Sequence, residues 1–346
     1  TELYDSIVLT SSEIAAGAKT VLDLNVNQAY HIYAVYSSKS NGDYASKVTI
    51  YDSTASYSIA DLARPRPDTA YILDEARLLR APITINDHND AGAEKVPYTV
   101  YIVSAGYTAA PVISAQLANG PVDSSDFADN YNGYTMTVLS AEESFTMKSF
   151  SHIYSGKVSS VGYDLCHDDK YDILNMNSDY QASNSFVTIY SPIATVVGST
   201  NMQFTLNANT RYTESLNEGG SFALVSSGYL TKDSSYNIPY SVNSLSANVT
   251  FTKDVLIDIA YTVSDINSNE TVVISTQGQD QKDIKITSST GLDQTGAFAR
   301  SLSLSVTTSD ASHTPRFLIH VTSGSSNSFT LIGLILATFA TKVFTL

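Results

Sequence analysis

Apolar side chains in this chain recur at every second position over short runs, and seldom at the three-and-four spacing of a helix. Val48-Thr49-Ile50-Tyr51 and Leu302-Ser303-Leu304-Ser305-Val306 show the pattern. Successive side chains on a strand point to opposite faces, so such runs make pleated strands with one face to bury. Ser, Asn, Gly and Asp, which suit turns, separate the runs. A strand with one apolar face needs a second layer to cover it. The pattern therefore reads as an all-β fold of antiparallel sandwiches or jelly rolls. One segment is two-sided: Thr69–Arg80 follows Arg64-Pro65-Arg66-Pro67 and fits a short helix, while Ala70–Leu73 within it also fits a strand.

Set against itself, the chain repeats one order of strands three times. Two early strands, Thr20–Val26 and Tyr30–Tyr36, return as Glu143–Met147 and Ser160–Leu165, then as Ala247–Phe251 and Val255–Val263. A polar turn and strand follow in each copy, around Asp43-Tyr44…Val48–Tyr51, Asp179-Tyr180…Phe186–Tyr190 and Asn267…Thr271–Ile274. Closing strands are Tyr98–Ser104, Ser221–Ser227 and Arg316–Thr322. These copies predict three tandem units, 1–110, 111–231 and 232–326, before an apolar tail, 327–346.

Composition narrows the partners. The chain has 34 acidic and 19 basic residues, a net charge of −15. With no basic block to offset it, that charge argues against nucleic acid and against acidic lipid. Hydrophobic residues make up 43%, too many for a disordered chain. The single cysteine, Cys166, leaves the units to be held by their cores; it reads as a buried small hydrophobe or as a thiol linking two chains.

The tail, Phe329–Leu346, carries one charge, Lys342, and follows the small polar stretch Ser323–Ser328. Three readings fit it. A glycolipid-anchor signal would place attachment at Ser323, Gly324, Ser325 or Ser326, although the spacer is shorter than the roughly 8–12 residues such signals use. A membrane helix would be at the short end of the roughly 17–25 residues that span a bilayer. A retained segment would sit in a sheet of its own chain or complete a neighbour's sheet by strand addition.

Asp43-Tyr44 followed by Val48-Thr49-Ile50-Tyr51-Asp52 resembles the Asp-Tyr-Val-x-Ile-Tyr-Asp core of CUB domains. The chain departs from that core in three extra residues before the strand, in Ser53 where the motif has Gly, and in lacking paired cysteines. The resemblance implies β-sandwich units of secreted and cell-surface proteins, including the nematode CUB-like family, which is partly glycolipid-anchored. It implies binding, adhesion or host defence rather than catalysis. Some CUB domains hold calcium through acidic residues, and Asp43 and Asp52 are the positions that match.

Other candidate sites rest on the residues themselves. Asn86-Asp87-His88-Asn89-Asp90-Ala91-Gly92 is dense in oxygen donors, so Asp87, Asn89 and Asp90 are calcium candidates, or simply a hairpin turn. Cys166-His167-Asp168-Asp169 lacks the second ligand pair that zinc would need. Asn248-Val249-Thr250 and Asn269-Glu270-Thr271 are glycosylation sequons. Tyr44, Tyr57, Tyr131 and Tyr134, set among Ser and Asn, read as exposed binding tyrosines or as ordinary sheet residues. No Gly-x-Ser-x-Gly, phosphate-cradling glycine loop or His-Glu-x-x-His occurs.

The sequence thus predicts three antiparallel β-sandwich units of jelly-roll or CUB-like form with an apolar tail. The functional expectation is a non-enzymatic extracellular structural or adhesive protein of a cell surface or matrix, self-assembling into a filament through its tail. The alternative is a glycan- or microbe-binding host-defence module anchored by a glycolipid. The expected partners are copies of itself and extracellular protein or glycan. Membrane contact is expected only through the tail or its lipid replacement. No cofactor is expected beyond calcium.

Overall fold

The structure, a computed structural model, describes residues 6–37, 43–75, 77–105, 111–126, 134–142, 144–159, 172–181, 185–199, 201–209, 212–216, 220–226, 244–308 and 315–324. The fold is all-β. Helices among the described residues are single turns, such as Asp43–Ser46 and Ile59–Leu62, and none is long and apolar enough to cross a membrane.

The N-terminal part is a β-sandwich of two four-stranded sheets. In one sheet Ser6–Thr10 and Ala29–Tyr36 flank Tyr98–Ser104, with Leu78–Arg80 at the edge. In the other Lys19–Val21 and Val48–Tyr51 flank Thr84–Asp87, with Ser56–Ser58 outermost. Alternate residues meet between the sheets: Tyr30, Ile32 and Ala34 from the first, Val48, Ile50 and Ile85 from the second. Each fully buried aliphatic or aromatic side chain there is worth roughly 1.5–3 kcal/mol against leaving it in water.

Three of the sequence expectations are corrected here. Ala247–Phe251 and Val255–Val263, read as two strands, form the single strand Ser244–Ser264. Thr69–Arg80 is not a helix but two strands, Thr69–Leu73 and Leu78–Arg80. The first pairs with Pro65–Arg66 and, through Ile72, with Ile113; the second pairs with Ala29–Tyr36. Both periodicities fitted the segment, and distant partners decided between them. The strand expected over Thr20–Val26 spans only Lys19–Val21 and pairs with Thr84–Asp87 rather than with its neighbour in sequence.

Strand pairing runs across the unit boundaries drawn from the sequence. A seven-stranded sheet joins Thr69–Leu73 to Val112–Ser114 and then to Tyr134–Leu139. An eleven-stranded sheet joins Phe186–Tyr190 and Gly220–Ser226 to Arg316–Ser323, and continues through Ser244–Ser264 and Thr290–Thr307. One core lies between these two sheets, with Met136, Val138 and Val196 facing Phe145, Val187 and Phe204. Another, with Phe222, Ile257, Ile274, Leu304 and Ile319, is built wholly from strands of the eleven-stranded sheet, which curls around it. Phe186 and Phe222, opposite each other on parallel strands, stack at 4.8 Å within it. Val8, Tyr33 and Tyr101 pack with Leu73, Val112 and Ile193, joining the N-terminal sandwich to the seven-stranded sheet.

Candidate functional site

The densest buried polar cluster joins the Asp43-Tyr44 segment to the oxygen-rich turn. The Asp43–Ser46 helix turns the Tyr44 phenol inward, and Thr84–Asp87 ends with the Asp87 side chain 1% exposed. Tyr44 donates its hydroxyl hydrogen to Asp87 Oδ2 at 2.8 Å. Asp87 Oδ1 accepts from the Asn89 backbone N–H and from Asn89 Nδ2, each at 2.9 Å. Asn89 Nδ2 also donates to the Tyr44 carbonyl at 3.1 Å. Burial, then the bond to Asp87, raise the Tyr44 pKa well above the usual phenol range, so its proton stays in place. Burial likewise raises that of Tyr98, helped by the charge of Asp87; its hydroxyl is buried with no partner.

This geometry assigns Asp87 and Asn89 to each other and to Tyr44, while Asp90 faces solvent. Both Asp87 oxygens already accept hydrogen bonds, so in this arrangement the carboxylate acts as a staple between helix and turn. Among the described residues no three His, Cys, Asp or Glu side chains gather in a metal-holding group. His88 points outward, its Nε2 3.2 Å from Thr49 Oγ1 on the paired strand.

Asp52, the other acidic position in the CUB-like stretch, organises a different turn. Its Oδ1 accepts from the Thr54 N–H and hydroxyl and from the Ala55 N–H, and its Oδ2 accepts from the Arg80 N–H at 2.6 Å. Burial alone would raise its pKa, but these four bonds outweigh burial and hold it at about 2. Asp43 and Asp52 thus serve separate elements: Asp43 opens the helix that carries Tyr44.

The remaining candidates are scattered. Asn248 is exposed within Ser244–Ser264, where Val249 is buried in the core and Thr250 Oγ1 donates to the Glu214 carbonyl. Asn269 is exposed in the turn before Thr271–Gln277. Ser323 is buried at the end of the last strand, and Gly324 follows it. Cys166, His167, Tyr131, Ser325, Ser326 and the run Phe329–Leu346 lie outside the described residues. Of the tyrosines read as exposed, Tyr44 is instead buried, because its helix turns it onto Asp87. The sequence reading missed the apolar cross-strand pair Leu256 and Phe298, which is open to solvent. His320, inside the last strand, packs its ring on Tyr180 at 6.1 Å.

No family model matches the chain, and no curated protein does. Among solved structures, the CUB1-EGF-CUB2 domains of human MASP-1/3 are similar at 6% identity and a TM-score of 0.25, over 59% of this chain and 99% of theirs. The CUB1-EGF-CUB2 domains of rat MASP-1 follow at 10% identity and 0.23, over 58% and 96%. A Bacillus thuringiensis Cry1Da tryptic core variant matches at 10% and 0.19, over 90% of this chain and 52% of that one. All three likenesses are weak in both sequence and shape.

Proposed function

We propose that this chain is a non-enzymatic extracellular protein with a structural or adhesive role at a cell surface or in a matrix. The observation that carries the reading is the position of the two sequons. Asn248 and Asn269 are both exposed on the β-rich C-terminal part, where a glycan can project without disturbing the core. Asn248 shares its outward row with Ser303 and Ser275, a surface of hydroxyls in place of apolar side chains. The best-formed titratable cluster, Tyr44–Asp87–Asn89, is closed and internally satisfied, which fits a scaffold better than a reaction centre.

The test is expression through a secretory pathway followed by glycosidase treatment. Two mobility steps are expected on sugar removal, one lost in Asn248→Gln and the other in Asn269→Gln. A chain that enters the pathway, folds and shows no sugar at either position overturns the reading.

A further inference from the structure

Among the described residues the eleven-stranded sheet ends in an unpaired strand. Lys282–Ile286 pairs with Thr271–Gln277 on one flank, and no described strand lies on the other. Such an edge offers a row of backbone donors and acceptors to any strand that can match it. One hydrogen bond fixes which residues supply the row. The Lys282 N–H turns toward Thr271–Gln277 and donates to Thr276 Oγ1 at 3.1 Å. Backbone groups alternate sides along an antiparallel strand, so those of Ile284 and Ile286 turn inward too. Those of Asp283 and Lys285 face outward.

The side chains alternate as well. Ile286 is buried, and Ile284, on the same face, packs against the core but stays half-buried. Lys282 is bent back onto its own chain, where its ammonium donates to Thr295 Oγ1 and to the Gly296 carbonyl. Asp283 and Lys285 stand exposed on the outer face, and their side chains make no hydrogen bond or ion pair with any described residue. Lysines on an edge strand normally keep other strands away. Here one lysine is engaged, and the other sits two residues from an opposite charge.

The strand Lys282-Asp283-Ile284-Lys285-Ile286 matches an inverted copy of itself. An antiparallel partner must meet the outward groups of Asp283 and Lys285 with its own. Centred on Asp283 or on Lys285, the pairing sets like charges opposite each other, which is unfavourable. Centred on Ile284, it sets Asp283 against Lys285 twice, and each such pair exchanges both backbone hydrogen bonds. The two Ile284 side chains then meet at the two-fold axis in the closer kind of cross-strand pair, each covering what the other leaves open.

We propose that Lys282–Ile286 is the contact through which two copies of this chain pair, edge to edge in the register centred on Ile284. The contact uses the same patch on both copies, so it closes at two. A ladder this short buries little surface, so the dimer is a weak one. The inference does not depend on the extracellular reading, and the glycan test and the one below fail separately.

Sedimentation of the full chain from micromolar to near-millimolar concentration tests it. The average mass should rise from one chain toward two. Asp283→Lys should weaken that self-association at least about tenfold, although it lowers the net negative charge and would favour any less specific contact. Lys285→Asp should weaken it likewise. Mixed, the two variants should associate with each other, because opposite charges then face across both pairs. Both substitutions in one chain should restore the natural self-association. A chain that stays monomeric throughout overturns the proposal and leaves the edge to another occupant. Growth beyond two copies overturns it, as does association that Asp283→Lys leaves unchanged. Two variants that fold and do not associate when mixed overturn it too. Should Asp283→Lys not fold, Lys285→Asp and the doubly substituted chain carry the same expectations.

Discussion

Tyr44 and Asp87, 43 positions apart, close a buried hydrogen bond of 2.8 Å that ties a one-turn helix to the end of a strand. Removing the hydroxyl in Tyr44→Phe leaves Asp87 Oδ2 without this donor in the core. A loss of about 1–3 kcal/mol is expected, the cost of a buried polar atom left unpaired. Chemical denaturation of Tyr44→Phe, Asp87→Asn and the double variant measures it. The two single losses should exceed the double loss when summed; strict additivity would show that the pair is not coupled.

Asp52 gives the fold a dependence on acid. Its carboxyl titrates at about 2 in the fold against 3.8 in a free chain. Between those values the unfolded chain holds more protons, so stability is full above about pH 4 and falls as the pH drops through about 2. Asp52 is partly exposed, which limits the size of the effect. Denaturation midpoints at pH 5 and pH 2.5 should differ less in Asp52→Asn than in the natural chain.

His320 acts in a higher window. Burial pushes its pKa down to about 4, and the charge of Asp179 only partly offsets that. An unfolded histidine takes its proton near 6.5, so stability is full above that value and is lost as the pH falls toward about 4. In His320→Gln the loss between pH 7 and pH 4.5 should shrink. An imidazole that titrates near 6.5 by NMR in the folded protein would contradict this.

Gly278 has φ +148, and a Cβ there would lie 2.6 Å from the Arg300 backbone nitrogen and 2.8 Å from the Ala299 Cα. Backbone atoms in a paired strand cannot give way, so Gly278→Ala should cost about 1–3 kcal/mol. Gly198 is the comparison. Its added Cβ would meet the Met202 side-chain end at 2.4 Å, and that end can swing aside. Thermal unfolding should rank Gly278→Ala well below Gly198→Ala; equal stability would refute the contact.

The all-β class was legible because alternation is a local signal. Leu302, Leu304 and Val306 point inward as their spacing requires, and Ser303 and Ser305 point outward. What was not legible depended on distant partners. Nothing near Tyr44 announces that its phenol meets Asp87, so it read as a surface tyrosine. Thr69–Leu73 carried two periodicities, and only pairing such as Ile72 with Ile113 selects the strand. Leu256 hid in the run Val255-Leu256-Ile257, where three apolar residues in succession mask which one faces out.

The sheets that cross the unit boundaries bear on how such a chain can evolve. A module that is shuffled between genes has to keep its strand edges to itself. Here a cut between residues 231 and 232 would strip Gly220–Ser226 of its partner Arg316–Ser323 and Tyr212–Leu216 of its partner in Ser244–Ser264. Both halves would carry open, sticky edges. The stretches that read as separate units in the sequence therefore depend on one another in the fold, and a cut between them would part strands that share a sheet.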